Sequence, residues 1–234
     1  MIKYLIALLL GLAVGTAAFL ALLYLNPLTA QNRLSPITVT DNDVLHLNYP
    51  AVASNMLIYT NDGESQVAPH PTKVLQLWEP PIRKTDAIAT VLTNSRSQVL
   101  GVGLKFSSDS EATDILNGHL LVDSVWHIYL PGKGSLFIEQ QENYWSYVRD
   151  IVIPARWNSG DNWRGNWRGN ISVGPGALGT ARVVGGSGIF SGLESEGLET
   201  LSSKAYSVAQ GLVAADGELA IEIPRIESEP TPDP

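Results

Sequence analysis

The chain has 234 residues, 44% hydrophobic and 16% charged, with a formal net charge of −8 and no cysteine. That balance buries a core rather than staying disordered, and the length fits one domain with appendages. It excludes thiol chemistry, disulfides and cysteine metal sites, and so acidic a body repels nucleic-acid backbones.

Tyr4 to Leu25 is a run of 22 residues without a charge. As a helix it spans about 33 Å at roughly 1.5 Å per residue, enough for a bilayer core. Tyr4 and Tyr24 sit at its ends, where amphipathic rings favour the membrane interface. We expect an uncleaved single-pass anchor over residues 1–25. Lys3 on the short leading side places the N-terminus in the cytoplasm and the remainder in the periplasm or outside the cell. A cleaved signal ending at Leu28-Thr29-Ala30 is the alternative, but Leu28 is large for its position and the apolar run is long. Asn26-Pro27 ends the helix, and residues 26–36 read as a polar linker.

Residues 37–223 alternate short β-rich runs with Gly, Pro, Asn and Asp, the pattern of an all-β barrel or sandwich. Strands are expected at MLIYT, KVLQLWE, AIATVLT, QVLGVGLKF, YVRDIVIP, NISVG, LGTARVV, KAYSVAQ and ELAIEIP; only SDSEATDILNG is briefly helical. The clearest hairpin turns at Pro131-Gly132-Lys133-Gly134. On its first arm Val122, Ser124, Trp126, Ile128 and Leu130 share one face.

Asn-Trp-Arg-Gly occurs twice in succession over residues 162–169. Extended, the segment places Trp163, Gly165, Trp167 and Gly169 on one face and Arg164, Asn166, Arg168 and Asn170 on the other. Three readings stay open: tryptophans packed into the barrel, a lip for an aromatic or hydrophobic ligand, and a contact with lipid headgroups. The ligand-binding candidates are Trp157, Trp163, Arg164, Trp167 and Arg168.

Further on, a strand ending in Val183-Val184 meets Gly185-Gly186-Ser187-Gly188-Ile189-Phe190-Ser191-Gly192, in which Phe190 is expected to plug the core. This octapeptide resembles the Gly-Gly-Thr-Gly-x-Phe-x-Gly turn of allene oxide cyclases and plant dirigent proteins. The likeness covers about residues 168–223, with Leu193 and Ser195 where that family has Ala and Gly. It implies an eight-stranded antiparallel barrel that shelters a small hydrophobic molecule, works without a bound cofactor and often assembles as a trimer. It transfers no catalytic residue. Residues 224–234, rich in proline and acid, read as a disordered tail.

Other motifs fail on spacing. From Gly186 and Gly188 the dinucleotide pattern would need glycine where Ser191 stands, and no nucleophile elbow forms at Ser187. His119, Asp123 and His127 lie about 13 Å apart in sequence order on a strand, too far to share one metal ion. Glu139 and Arg149 are conceivable polar participants. The expected function is binding or steering of a small, largely apolar molecule, with a cofactor-free cyclase or isomerase and an envelope interaction module as alternatives.

Overall fold

A computed structural model describes residues 2–25, 43–52, 58–61, 64–65 and 85–223 of the chain. Helix α1 (Ile2–Leu25) is long and apolar enough to cross a membrane, with mean hydropathy 2.2 over Lys3–Ala21 and no burial against the rest of the protein. The expected linker, the strand KVLQLWE and the tail lie outside the described residues.

The strands are β1 (Asp43–Pro50), β2 (Ile58–Asn61), β3 (Glu64–Ser65), β4 (Thr85–Thr93), β5 (Val99–Asp109), β6 (Leu121–Leu130) and β7 (Gly134–Asn143). After a helical passage come β8 (Asn162–Asn170), β9 (Ser172–Gly174), β10 (Ala181–Gly186), β11 (Ser195–Ser207) and β12 (Gly211–Ile223). The pairing order β1-β12-β11-β10-β7-β6-β5-β4 is antiparallel throughout and returns from β4 to β1 at Asn48↔Thr93. Eight strands therefore close on themselves, which removes the sheet edges an open sheet would leave. Below that contact β2 continues along β4, pairing Ile58–Thr60 with Ala87–Ala89.

Between β7 and β11 the wall is a composite of β8, β9 and β10. β8 pairs with β11 from Asn170↔Thr200 to Asn162↔Ser207, β9 pairs with the end of β7, and β10 bridges both neighbours. We call the end where β7 finishes at Asn143 the lower end and the end holding the β6–β7 turn the upper end.

The period-two reading of the hairpin holds: Ser124, Trp126, Ile128 and Leu130 are buried inside, and Asp123, Val125 and Tyr129 are exposed. The upper interior is apolar, built from Leu47, Ile128, Leu130, Leu136, Ile138, Val183, Leu219 and Ile221. Phe190 plugs it from the Gly188–Phe190 turn, 1% exposed. Gly188, at φ +65, tucks against the Lys133 carbonyl of the neighbouring hairpin turn, so a β-carbon there meets backbone.

One expected strand is wrong. YVRDIVIP belongs to a helical passage, with α2 (Trp145–Tyr147), a π-helical turn (Val148–Val152) and α3 (Ile153–Trp157). The β-branched composition suggested a strand, but Asn143 overrides it. Its Oδ1 accepts from the backbone of Trp145 and of Leu120, turning the chain where β7 ends and opening the helix. The passage then buries Ile151 and Ala155.

Candidate functional site

The lower interior is polar. β5 alternates in an inverted sense: Gly101, Gly103 and Lys105 face inward while Val102, Leu104 and Phe106 face out. Gly103 leaves room for the Trp126 indole, whose Cζ3 would lie 2.8 Å from an added β-carbon. Lys105 can then extend beside that ring, 5.4 Å from its centroid. It is 4% exposed and lies between two carboxylates that are fully buried, Glu142 of β7 and Glu199 of β11.

The Lys105 Nζ donates to Glu199 Oε1 at 2.8 Å and lies 2.8 Å from Glu142 Oε1. Glu199 also accepts from the Tyr49 hydroxyl, from Trp126 Nε1 at 3.0 Å and from Gln140. Glu142 accepts from Ser124, from Gln140 Nε2 at 2.8 Å and from the Tyr144 hydroxyl at 2.6 Å. Ser172 of β9 holds the network to the wall: its hydroxyl donates to Gln140 Oε1 at 3.1 Å and accepts the Glu199 amide at 2.8 Å. Two buried carboxylates and one ammonium are tolerable only because every carboxylate oxygen is bonded.

Charge states follow from the same geometry. Burial pushes the Glu199 carboxyl up, but the adjacent Lys105 ammonium outweighs it and holds the group below its ordinary range. Burial disfavours the Lys105 cation, yet Glu142 and Glu199 together raise it above the usual lysine value. Tyr49 and Tyr144 are pushed well up, by burial first and then by Glu199 and Glu142 respectively. The cluster is thus an ion triad flanked by neutral phenols.

An aromatic path joins this cluster to the surface. Tyr144, half-buried, bonds Glu142 and meets the Tyr147 ring edge-on at 6.3 Å. Tyr147 in turn meets Trp167 at 5.7 Å and Tyr206 at 6.1 Å. Tyr206 is paired across the ladder with Trp163. The double repeat has a local explanation here: each indole lies over the glycine two residues on. A β-carbon at Gly165 would come within 2.7 Å of the Trp163 ring, and one at Gly169 within 2.6 Å of the Trp167 ring. Trp-x-Gly written twice lets two large rings lie flat along one strand.

The five candidate residues are divided by this strand. Trp163 and Trp167 are half-buried on one face, and Trp167 packs on the core. Arg164 and Arg168 are exposed on the other, where Arg168 Nη2 reaches Glu218 Oε2 at 2.7 Å. Glu218 also meets His46 Nδ1 at 2.8 Å. Trp157 closes α3 and is 73% exposed. Glu139 pairs outside the barrel with Arg182 at 3.0 Å, and Arg149 pairs with Asp150 at 2.7 Å, so neither joins the interior cluster.

No family model matches the chain, and no curated protein matches it. Among solved structures it is similar to two pterocarpan synthase dirigent proteins. One is 10% identical with a TM-score of 0.39 over 79% of this chain and 97% of that chain. The other is 13% identical with a TM-score of 0.34 over 85% and 95%. A third is a nonspecific heme-binding cyclase that catalyses a cycloaddition in neoabyssomicin biosynthesis, 11% identical with a TM-score of 0.33 over 82% of this chain and 74% of that one. The barrel itself is established by its strand pairing.

Lys105, Glu142, Glu199, Tyr49 and Tyr144 are functional candidates that spacing alone does not single out. Their one signal is a charged residue in phase with buried neighbours: Gly101-x-Gly103-x-Lys105 in β5 and Gly197-x-Glu199-x-Leu201 in β11.

Proposed function

We propose that the barrel binds and steers a small, largely apolar molecule at its lower end, anchored through Tyr4–Leu25 with the barrel on the extracytoplasmic side of a membrane. The observation that carries this is the aromatic path ending on a buried ion triad. Trp167, Tyr147 and Tyr206 offer π faces to a flat apolar body, while Tyr144 offers a polar contact already coupled to Glu142. The half-buried rings at the rim and the fixed charges behind them would hold such a guest in one orientation.

The Lys105–Glu142–Glu199 triad also favours a second reading, a cofactor-free cyclisation or isomerisation in which confinement dominates and fixed charges stabilise a polar transition state. Both readings are tested on the full-length protein in lipid nanodiscs. Native mass spectrometry should find a co-purifying small molecule, and Trp163→Ala with Trp167→Ala should lower its occupancy while the barrel stays folded. Unchanged occupancy, or loss of the folded state, would assign the tryptophans to packing instead.

A further inference from the structure

We infer that the barrel carries a second small-molecule site, a groove on its outer wall suited to a compact aromatic or alicyclic amine. The groove has a volume of about 530 Å³, within the range of about 300–1,000 Å³ common for small-molecule sites. It lies on the opposite side of the wall from the lower-end site, with Ser124 and Gln140 of the triad's network between them.

Its origin is an insertion in the wall. Arg182 of β10 pairs with Glu139, and Gly174 of β9 pairs with Gln141, so residues 175–181 all stand opposite the single residue Gln140. The chain has to leave the sheet there. It does so through a closed turn, with Gly176 N donating to Thr180 O at 2.7 Å and Gly179 N to Gly176 O at 3.1 Å. Pro175 and Gly174 become one side of the groove, and Thr85 of β4 lies at the other. A barrel wall needs no such excursion to close.

The lining sorts into rows fixed by register. Phe106, Val125, Glu139 and Arg182 are successive cross-strand partners, as are Ser108, Asp123, Gln141 and Gly174. Phe106 and Val125 are 46% and 43% exposed, and side chains of this kind regain about 25 cal/mol for each Å² a ligand covers. Beside them Asp123 shares one oxygen with Gln141 at 2.9 Å, and Glu139 is matched by Arg182. Among the described residues the groove therefore holds one carboxylate more than it has cations. Apolar floor and surplus negative charge together fit a monocation with a hydrophobic body and disfavour an acid of the same shape.

The test compares 1-naphthylmethylamine with 1-naphthaleneacetate by isothermal titration calorimetry on the full-length protein in nanodiscs, with empty nanodiscs subtracted. The amine should bind saturably and the acetate should not. Asp123→Asn should weaken the amine about ten-fold, the scale of a lost charged hydrogen bond, and Phe106→Ala should do likewise. Both residues are exposed, and retained tryptophan fluorescence confirms folding. The Trp163→Ala/Trp167→Ala protein should bind the amine as the parent does. Equal binding of both probes, indifference to Asp123→Asn and Phe106→Ala, or loss of binding in a tryptophan variant that keeps its folded far-ultraviolet circular dichroism would each overturn the assignment.

Discussion

Replacing Lys105 by Met tests the ion triad directly. The side chain keeps its length and apolar character but loses the charge that lies 2.8 Å from both Glu142 and Glu199. Both carboxylates are fully buried, so neither can turn to water without breaking its bonds to Ser124, Gln140, Tyr49 or Trp126. Breaking a buried pair from one side costs about 3–5 kcal/mol, which for a domain of this size lowers Tm by roughly 6–20 °C. The pH dependence should change as well. In the parent, Glu199 is held low and Lys105 high. The depressed carboxyl contributes stability that is present above its ordinary pKa and lost as pH falls through the folded value. The raised ammonium contributes stability present below its ordinary pKa and lost as pH rises through the folded value. The parent should therefore be flat across neutrality. In the variant burial acts on Glu199 without the opposing ammonium, and the bonds from Tyr49 and Trp126 offset it only in part; its pKa rises, and stability should increase as pH is lowered from neutral towards about 5. Thermal unfolding followed by tryptophan fluorescence reads this out, since Trp126 packs on the triad. A variant within about 1 kcal/mol of the parent at neutral pH, or one with the parent's pH profile, would refute the reasoning.

Three further outcomes are expected. Gly217→Ala drives a β-carbon into the Tyr49 ring and should cost about 1–3 kcal/mol in denaturant titrations; added to Tyr49→Ala it should cost much less, because the obstacle is gone. Gly169→Ala should displace the Trp167 indole from the strand, red-shifting fluorescence and lowering stability by about 1–3 kcal/mol, whereas Asn166→Ala on the opposite face should do neither. Alkaline unfolding should begin above about pH 10, because Tyr49, Tyr144 and Lys105 all have raised pKa values and each withdraws its contribution as pH climbs through it.

Local pattern carried the barrel well. Alternation in Ser124-Trp126-Ile128-Leu130, the Pro131–Gly134 turn and the glycines around Phe190 each impose a geometry within a few residues, and each stands where expected. Residues 148–153 misled because valine and isoleucine fit a strand, while the decision to coil is made upstream by the Asn143 side chain. The extended double repeat was legible, but its partners were not: Tyr147 and Tyr206 reach Trp167 and Trp163 only once β11 and α2 are in place. The triad was hidden for a stronger reason. Lys105, Glu142 and Glu199 come from three strands up to 94 positions apart, and phase with buried neighbours can turn Lys105 or Glu199 inward one at a time without showing that they meet.

The strand that opens the barrel is held by the one that finishes it. β1 pairs with β12 along all eight of its residues, from Asp43↔Ile223 to Pro50↔Asp216. A growing chain has to carry Leu45, Leu47 and Tyr49 through the synthesis of every intervening strand before their ladder partner leaves the ribosome. Such long-range closure is slow and leaves hydrophobic edges waiting. Stop codons that remove even the last few residues of β12 should leave a product that proteases clear rather than a slightly weaker barrel.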